Sequence, residues 1–302
     1  VRVLLTGASG FVGSNVLKHL LDTTDWTFTC PCSFRHHGNP LRFTDDKRVD
    51  ILRCDLRGEI PNLGWFDYIL NFASESHVDR SIRYPVPFIE NNVSSTLQLL
   101  EYARKNRPMV FLQFSTDEVF GPTSNQLRPS NPYAASKAAQ EVLCMAYWRT
   151  YGVPVVITNS NNIVGPNQDP EKFVPKVIDL LKQGEPVTIH VTKDGPGRRY
   201  YNPVQNVASA ISTVLELNTN RGSTNLIPRY RLPGGEELDN LEMAQLLAKI
   251  LDVPLVTTKV NVEASLRPGY DRFYEETANN DLTGEGWVPP YTLEEGLREF
   301  VR

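Results

Sequence analysis

The sequence predicts an α/β protein, a doubly wound parallel sheet with a smaller C-terminal α/β lobe. Three observations carry that expectation. Strand-length β-branched runs alternate with helix-length amphipathic runs through the first half. The pattern Gly7-x-x-Gly10-x-x-Gly13 stands between the first apolar run and the first amphipathic run. Past about Asn162 the spacing becomes irregular and rich in proline. Alternation of the two periods implies parallel strands, because each crossover must carry the chain back over the sheet.

The elements follow in order. Val1–Thr6 reads as a strand and Gly13–Leu21 as a helix with Val16, Leu17, Leu20 and Leu21 on one face. Trp26–Cys30, Val49–Arg53, Tyr68–Phe72, Met109–Ser115 and Val153–Thr158 read as further strands, with helices at Val93–Arg104 and Ala134–Tyr151. Later helices are expected at Pro175–Gln183, Leu241–Leu251 and Leu293–Val301. The expected division is residues 1–162 for a dinucleotide-binding domain and 163–302 for a second lobe, with some later segments free to return to the first. No internal repeat or low-complexity linker interrupts the chain.

The glycine loop makes the sheet a Rossmann-type one. Gly7 allows the tight turn, Gly10 lets the backbone approach a pyrophosphate, and Gly13 permits close helix–strand packing. Phe11 and Val12 complete the loop, and the helix start presents free N–H groups and a positive dipole end to the phosphates. A site for NAD usually has a carboxylate about 20 residues further on, bonded to the ribose 2′-hydroxyl. Here that stretch is Cys30-Pro31-Cys32-Ser33-Phe34-Arg35-His36-His37, which has none. Ser33 and Arg35 suit a 2′-phosphate, so NADP is favoured, with NAD the alternative. A solvated loop is the competing reading of Arg35 and the histidines. Asp55 is placed to meet an adenine amine, or is a plain surface aspartate.

Tyr133-x-x-x-Lys137 puts a phenol and an ammonium one helical turn apart on one face. Such an ammonium favours phenolate and can lower a tyrosine pKa from about 10. Ser115-Thr116-Asp117-Glu118 ends the preceding strand, where open α/β sheets place their ligands. Thr116 can share a substrate hydroxyl with Tyr133. Hydride transfer needs Thr, Tyr and Lys, whereas the two added acids point to proton transfer beyond it. The competing reading is that Asp117 and Glu118 only cap a loop.

Composition limits the alternatives. Hydrophobic residues at 40% and charged residues at 22% exclude a disordered or collagen-like chain. Thirty-one basic against 35 acidic residues give a net charge of −4, which argues against general nucleic-acid or anionic-membrane binding. The four cysteines lack zinc spacing, so no metal site is expected. No run reaches the roughly 18 apolar residues of a membrane span, and no leader precedes the first strand. A cytoplasmic protein is therefore expected.

The residues resemble a family, the extended short-chain dehydrogenase/reductases of the nucleotide-sugar epimerase/dehydratase type, and within it the dTDP-glucose 4,6-dehydratase group. The matching stretches are TGASGFVGS at Thr6–Ser14, NFASESHVDRSI at Asn71–Ile82, STDEVFG at Ser115–Gly121 and NPYAASK at Asn131–Lys137. NNIVGP at Asn161–Pro166, PEKFVP at Pro170–Pro175 and RPGYDRFY at Arg267–Tyr274 continue it nearly to the end.

The resemblance implies a lyase that converts a nucleotide-diphosphate hexose to the 4-keto-6-deoxyhexose. Tyr133, assisted by Lys137 and Thr116, would take the C4 hydroxyl proton as hydride leaves C4. Glu118 would take the C5 proton, Asp117 would protonate the departing C6 hydroxyl, and hydride would return to C6. The cofactor would stay bound and be regenerated each turnover. On the substrate side the resemblance implies Asn162, Glu171, Lys172, His190, Arg199 and Arg267, with exposed arginines and a structural histidine as competing readings. It also implies a homodimer through a four-helix bundle of Val93–Arg104 and Ala134–Tyr151, whose apolar residues fit an intramolecular core equally well.

Some positions depart from the family. Only Pro122–Pro132 separates Gly121 from Tyr133, Arg199-Tyr200-Tyr201-Asn202 replaces Arg-Asp-Trp-Leu, Asn206 replaces an acid, and Tyr270 replaces a histidine. These leave the nucleotide and the hexose open. A 4-epimerase, a 5,6-dehydratase and a non-catalytic NADP-binding regulator on the same fold are the alternatives.

Overall fold

Strands whose successive side chains enter two different apolar clusters organise the molecule. In the computed structural model, which describes residues 1–302 apart from 36, 37, 44, 123–125, 220–225, 233 and 262–281, Val3 and Leu5 pack on one side of the sheet and Leu4 on the other. Tyr68 and Leu70 oppose Ile69 in the same way, and Val110 and Leu112 oppose Phe111. Burial on both faces is what a parallel sheet covered by crossover helices requires.

In chain order the first half runs β1 (Arg2–Thr6), α1 (Phe11–Thr23), β2 (Thr27–Cys32), β3 (Val49–Arg53), β4 (Tyr68–Asn71), α2 (Val78–Arg83) and α3 (Val86–Phe88). A π-helical turn, Ile89–Ser94, leads into α4 (Ser95–Asn106), followed by β5 (Val110–Thr116), α5 (Pro132–Tyr151) and β6 (Val155–Ser160). The second half runs β7 (Asn162–Val164), α6 (Phe173–Gln183), β8 (Val187–Thr192), β9 (Gly195–Pro196), β10 (Arg198–Pro203), α7 (Val204–Thr219), β11 (Arg229–Leu232), β12 (Glu236–Asp239), α8 (Asn240–Leu251), β13 (Thr257–Asn261) and α9 (Leu293–Val301).

Seven strands form one parallel sheet in the order β11-β6-β5-β4-β1-β2-β3. Helices α1 and α7 cover one face, with Val16, Leu17 and Leu20 buried in one cluster with Val207, Ile211 and Val214. Helices α4 and α5 cover the other through Leu99, Leu100, Cys144 and Tyr147. Burying one Leu or Val side chain contributes about 1.5–3 kcal/mol, so each cluster outweighs any single polar contact in holding the layers.

Two later elements, α7 and β11, return to this first layer. The remainder builds a lobe with its own core, in which Val177, Ile178 and Leu181 of α6 meet Met243 and Leu247 of α8 and Leu297 of α9. Two three-stranded sheets, β12-β10-β7 and β13-β8-β9, complete the lobe. Register Tyr201↔Asn162 ties β10 to β7, directly after the end of β6. That pairing sets the lobe over the C-terminal edge of the parallel strands. Among the described residues no helix is long and apolar enough to cross a membrane.

Candidate active site

A cavity of about 720 Å³ opens between the C-terminal ends of the parallel strands and the second lobe. The glycine loop forms one wall. Gly7 has φ +71°, and a Cβ there would lie 2.7 Å from backbone atoms of Phe72 and Ala73. A Cβ on Gly13 would lie 2.2 Å from the Gly7 carbonyl oxygen. Any side chain would therefore close the turn or push α1 off the sheet. Gly10 caps α1 with no side-chain hydrogen bond, so the first-turn N–H groups have no side-chain partner at the cap. Those donors, with Phe11 and Val12 in the cavity wall, fit a dinucleotide pyrophosphate.

Ser33, Arg35 and Asp55 also line the cavity. The carboxylate of Asp55 is not a lone surface group. It pairs with Arg35 at 2.8 Å and with Arg57 at 2.9 Å. The loop between them folds onto the glycine turn, where Asn39 N–H and Arg42 Nη1 both donate to the Ser9 carbonyl at 3.0 Å. Arg42 also pairs with Asp169 of the second lobe at 3.2 Å. No spacing marks Arg42 or Arg57: Arg42 acts through tertiary contacts, and Arg57 folds back on Asp55 two residues away. His36 and His37 lie outside the described residues.

Strand β5 delivers Thr116, followed by the 3₁₀ turn Asp117–Phe120. Thr116, rather than either acid, caps that turn, accepting from Glu118 N–H at 3.3 Å. Its hydroxyl also donates to Asp117 Oδ1 at 3.1 Å. Asp117 is only 5% exposed and accepts from Asn161 Nδ2 at 2.8 Å. Burial first, then the neighbouring Glu118 charge, push its pKa up to about 7, although Thr116, Arg199 and Asn161 pull it back in part. A carboxyl group in that range can hold a proton at neutral pH and give it up.

Asn131 caps α5 by accepting from Ala134 N–H at 2.9 Å, and its Nδ2 donates to Glu118 Oε2 at 3.3 Å. One side chain thus starts the helix that carries Tyr133 and Lys137 and steadies the second acid. Tyr133 is buried, with its N–H bonded to Ser81 Oγ at 3.1 Å. Burial, and then the Glu118 charge, hold its phenol above the ordinary tyrosine range, with a Thr116 hydrogen bond acting the other way. This differs from the lowered phenol that the Tyr/Lys spacing predicts. Lys137 donates from Nζ to the Phe114 carbonyl at 2.7 Å, and its own pKa is brought down to about 8 by burial, against the Glu141 charge.

The substrate-side expectations separate into two groups. Asn162, Glu171, Lys172, His190 and Arg199 all line the same cavity. Lys172 Nζ donates to the Ser76 carbonyl at 3.2 Å, and burial lowers its pKa. Glu171 lies 3.4 Å from His77 Nε2. Arg199 lines the cavity, and its charge acts on Asp117. Arg267 and Tyr270 lie outside the described residues. Asn206, expected as an acid, is buried away from the site and bonds the Tyr291 N–H and carbonyl, each at 2.9 Å.

A further wall, residues 72–79, is held by Asn92 of the π-helical turn. Its side chain accepts from Glu75 N–H at 2.7 Å and donates to the Glu75 carbonyl and to Ser136 Oγ. A π turn exposes such a residue by widening the helix locally, often beside a functional site.

Comparison with known proteins places this geometry. The model of the NAD dependent epimerase/dehydratase family matches residues 3–226. The chain is 32% identical to dTDP-glucose 4,6-dehydratase of Salmonella typhimurium, covering 100% of this chain and 92% of that protein. It is 34% identical to a trifunctional UDP-glucose 4,6-dehydratase/UDP-4-keto-6-deoxy-D-glucose 3,5-epimerase/UDP-4-keto-L-rhamnose-reductase of Arabidopsis thaliana. That match covers 99% of this chain, which spans 46% of the larger protein's length. Among solved structures, DesIV, a dTDP-glucose 4,6-dehydratase from Streptomyces venezuelae with NAD bound, superposes with a TM-score of 0.88. It is 32% identical, with 100% of this chain and 96% of DesIV covered.

Proposed function

The chain belongs to the NAD dependent epimerase/dehydratase family, and from that premise we propose that it is a lyase, a nucleotide-sugar 4,6-dehydratase. One observation carries the reading. Asp117 and Glu118 stand on the same turn as Thr116, and Thr116, Glu118, Tyr133 and Lys137 line one cavity. Oxidation at C4 of a hexose uses the hydroxyl and phenol; eliminating water across C5 and C6 needs one group that takes a proton and another that gives one.

A bound nicotinamide dinucleotide supplies a reversible hydride store and, when oxidised, a positive charge. The chain's own residues do the rest. Tyr133 Oη, as the phenolate that the Lys137 ammonium and the positive charge of an oxidised dinucleotide would stabilise, accepts the C4 hydroxyl proton, with Thr116 Oγ1 sharing the hydrogen bond. Lys137 holds positive charge beneath them. A 4-ketone acidifies the C5 hydrogen, which the Glu118 carboxylate takes. Asp117, kept protonated by burial, donates to the C6 hydroxyl so that water leaves; the stored hydride would then return to C6 and Glu118 would give its proton back to C5, leaving the 4-keto-6-deoxyhexose. Arg199, Lys172, Asn162 and His190 are placed to hold the nucleotide diphosphate and sugar, with Arg267 a further candidate from the sequence resemblance. The Salmonella and Arabidopsis relatives are named for dTDP- and UDP-glucose respectively. The hexose is therefore proposed as a class, an NDP-hexose of glucose type.

Within the cofactor class, NADP is the proposed form. What supports it is the loop of Ser33 and Arg35, with Arg57 on the other side of Asp55. The Asp55 carboxylate is shared by two guanidinium groups, of which Arg57 also meets Glu90 at 3.8 Å, so the Arg35 guanidinium at the cavity wall is the fork offered to a 2′-phosphate. DesIV was crystallised with NAD, so the choice is directly testable by calorimetry on cofactor-stripped protein. NADP is expected to bind at least about tenfold tighter than NAD, and Arg35→Ala to remove most of that difference, since a tenfold ratio is about 1.4 kcal/mol, within the reach of one charge-assisted bond. Tighter binding of NAD by the unaltered chain would overturn it.

The proposed assembly is a homodimer through α4 and α5. Leu97 and Val142 on these helices are 37% and 50% exposed, and Ile89 on the preceding turn is 45% exposed. A single apolar residue on a surface is ordinary, but apolar residues on adjoining helices favour a covering partner. Light scattering on the eluting protein is expected to give twice the chain mass. A Val142→Glu variant should elute as the monomer, and a monomer for the unaltered chain would refute the dimer.

A further inference from the structure

Beneath the catalytic turn lies a buried charged network whose members do not line the cavity. Glu141, on α5 one turn beyond Lys137, is fully buried, and its Oε2 pairs with Arg229 Nη2 at 2.7 Å. Its Oε1 accepts from Asn159 Nδ2 at 2.7 Å, and Arg229 Nη1 donates to Asn159 Oδ1 at 2.7 Å. Asn159 Nδ2 also donates to the Thr116 carbonyl at 3.0 Å. The Arg229 guanidinium then covers the Phe120 ring at 5.6 Å from its centroid, with Arg231 at 5.4 Å. Phe120 is the last residue of the turn that bears Asp117 and Glu118.

A buried ion pair is weak evidence of stability, because desolvation of both partners offsets their attraction and apolar replacements are often neutral or stabilising. Stability alone therefore gives no account of this one. Its contacts do. The planar fork of Arg229 reaches α5, β6 and the 3₁₀ turn at once, a geometry that a lysine cannot reproduce. Arg229 is carried by β11, which arrives after the second lobe's first strands and α7.

We infer that Arg229 is a positioning residue: through Glu141, Asn159 and Phe120 it fixes the Thr116–Phe120 segment against α5, and so sets the two acids relative to Tyr133. The inference rests on the dehydratase reading for its kinetic consequence only.

The test is the double variant Glu141→Leu with Arg229→Met, which removes both charges of the pair, read beside Phe120→Leu, which keeps the Glu141 charge that acts on Lys137. The double variant and the unaltered chain are both expected to unfold cooperatively, while kcat for keto-sugar formation in the variant falls about 10- to 100-fold with KM within about twofold, the signature of misplaced reacting groups. In the same preparation, backbone amides of residues 116–121 are expected to exchange with deuterium about tenfold faster, while those of α1 and α6 stay unchanged. Phe120→Leu, which keeps an apolar residue but loses the ring face, should show the same two effects at smaller size and serves if the double variant does not fold. Unchanged kcat and unchanged exchange at 116–121 would overturn the inference. If the unaltered chain makes no keto sugar, the functional reading fails, and the exchange measurement still decides whether Arg229 fixes the turn.

Discussion

Tyr133→Phe is expected to lower turnover of the nucleotide hexose by about 10³-fold, within the range of a positioned acid–base group, with the fold and cofactor content unchanged. The size of the loss follows from position. The phenol is buried, shares the cavity with Thr116 and Glu118, and is the candidate acceptor for the C4 hydroxyl proton. Without it the first step stops, so neither the ketone nor the elimination product forms. Single-turnover mixing checks this: no reduced-nicotinamide absorbance should appear in the variant. Since burial and Glu118 raise the phenol pKa in the protein alone, Glu118→Gln should act in the opposite sense on this step. It should permit C4 oxidation, seen as retained reduced nicotinamide, while blocking the C5 proton transfer. If Tyr133→Phe retained a tenth of normal turnover, Tyr133 would not be the base.

Asp117→Asn is expected to lower kcat by about 10²–10³-fold and, at the same time, to stabilise the protein above neutral pH. The sign follows from the raised pKa. A folded value of about 7 against an ordinary aspartate value of 3.8 means that the folded chain binds the extra proton between those two pH values. Stability then falls as pH rises from about 4 to 7, because an ionised carboxylate becomes buried next to Glu118. Asn carries no such charge. The melting temperature of the variant should match that of the unaltered chain near pH 4 and exceed it increasingly up to pH 7, with a constant gap beyond. The same titration governs catalysis. Turnover should decline as pH rises through about 7 in the unaltered chain, and that limb should vanish in the variant. A variant less stable at pH 8 would show that Asp117 is a structural carboxylate held ionised by Arg199 and Asn161.

How much of this was legible before the structure depended on distance along the chain. The glycine turn, the Tyr/Lys pair and the Thr-Asp-Glu triplet are local spacings, and each lies in the cavity wall or directly against it. The seven-stranded parallel sheet agrees with the alternation of the first half. Helix α7 escaped notice although Val204, Val207, Ile211, Val214 and Leu215 recur at helical spacing, because it follows Pro203 in a stretch that reads as irregular. Strands β10 and β11, Arg198–Pro203 and Arg229–Leu232, were hidden for a different reason. Their arginines serve the cavity and the network beneath it, so apolar alternation is broken where strands meet function. Arg42, Arg57, Asn92 and Asn131 act through local turns or through partners 13 to more than 100 residues away, contacts that spacing along the chain does not report. The phenol pKa in the protein alone differs from the expectation drawn from spacing, because burial and then the Glu118 charge raise it.

The central claim is that water is eliminated. Mass spectrometry of the sugar nucleotide after incubation with the chain and dTDP-, UDP-, GDP- and CDP-hexoses tests it most directly. The account predicts that one of these nucleotides is converted to a product lighter by one water, with no net consumption of NADPH. A product of unchanged mass with inverted configuration at C4 would contradict it and make the chain an epimerase.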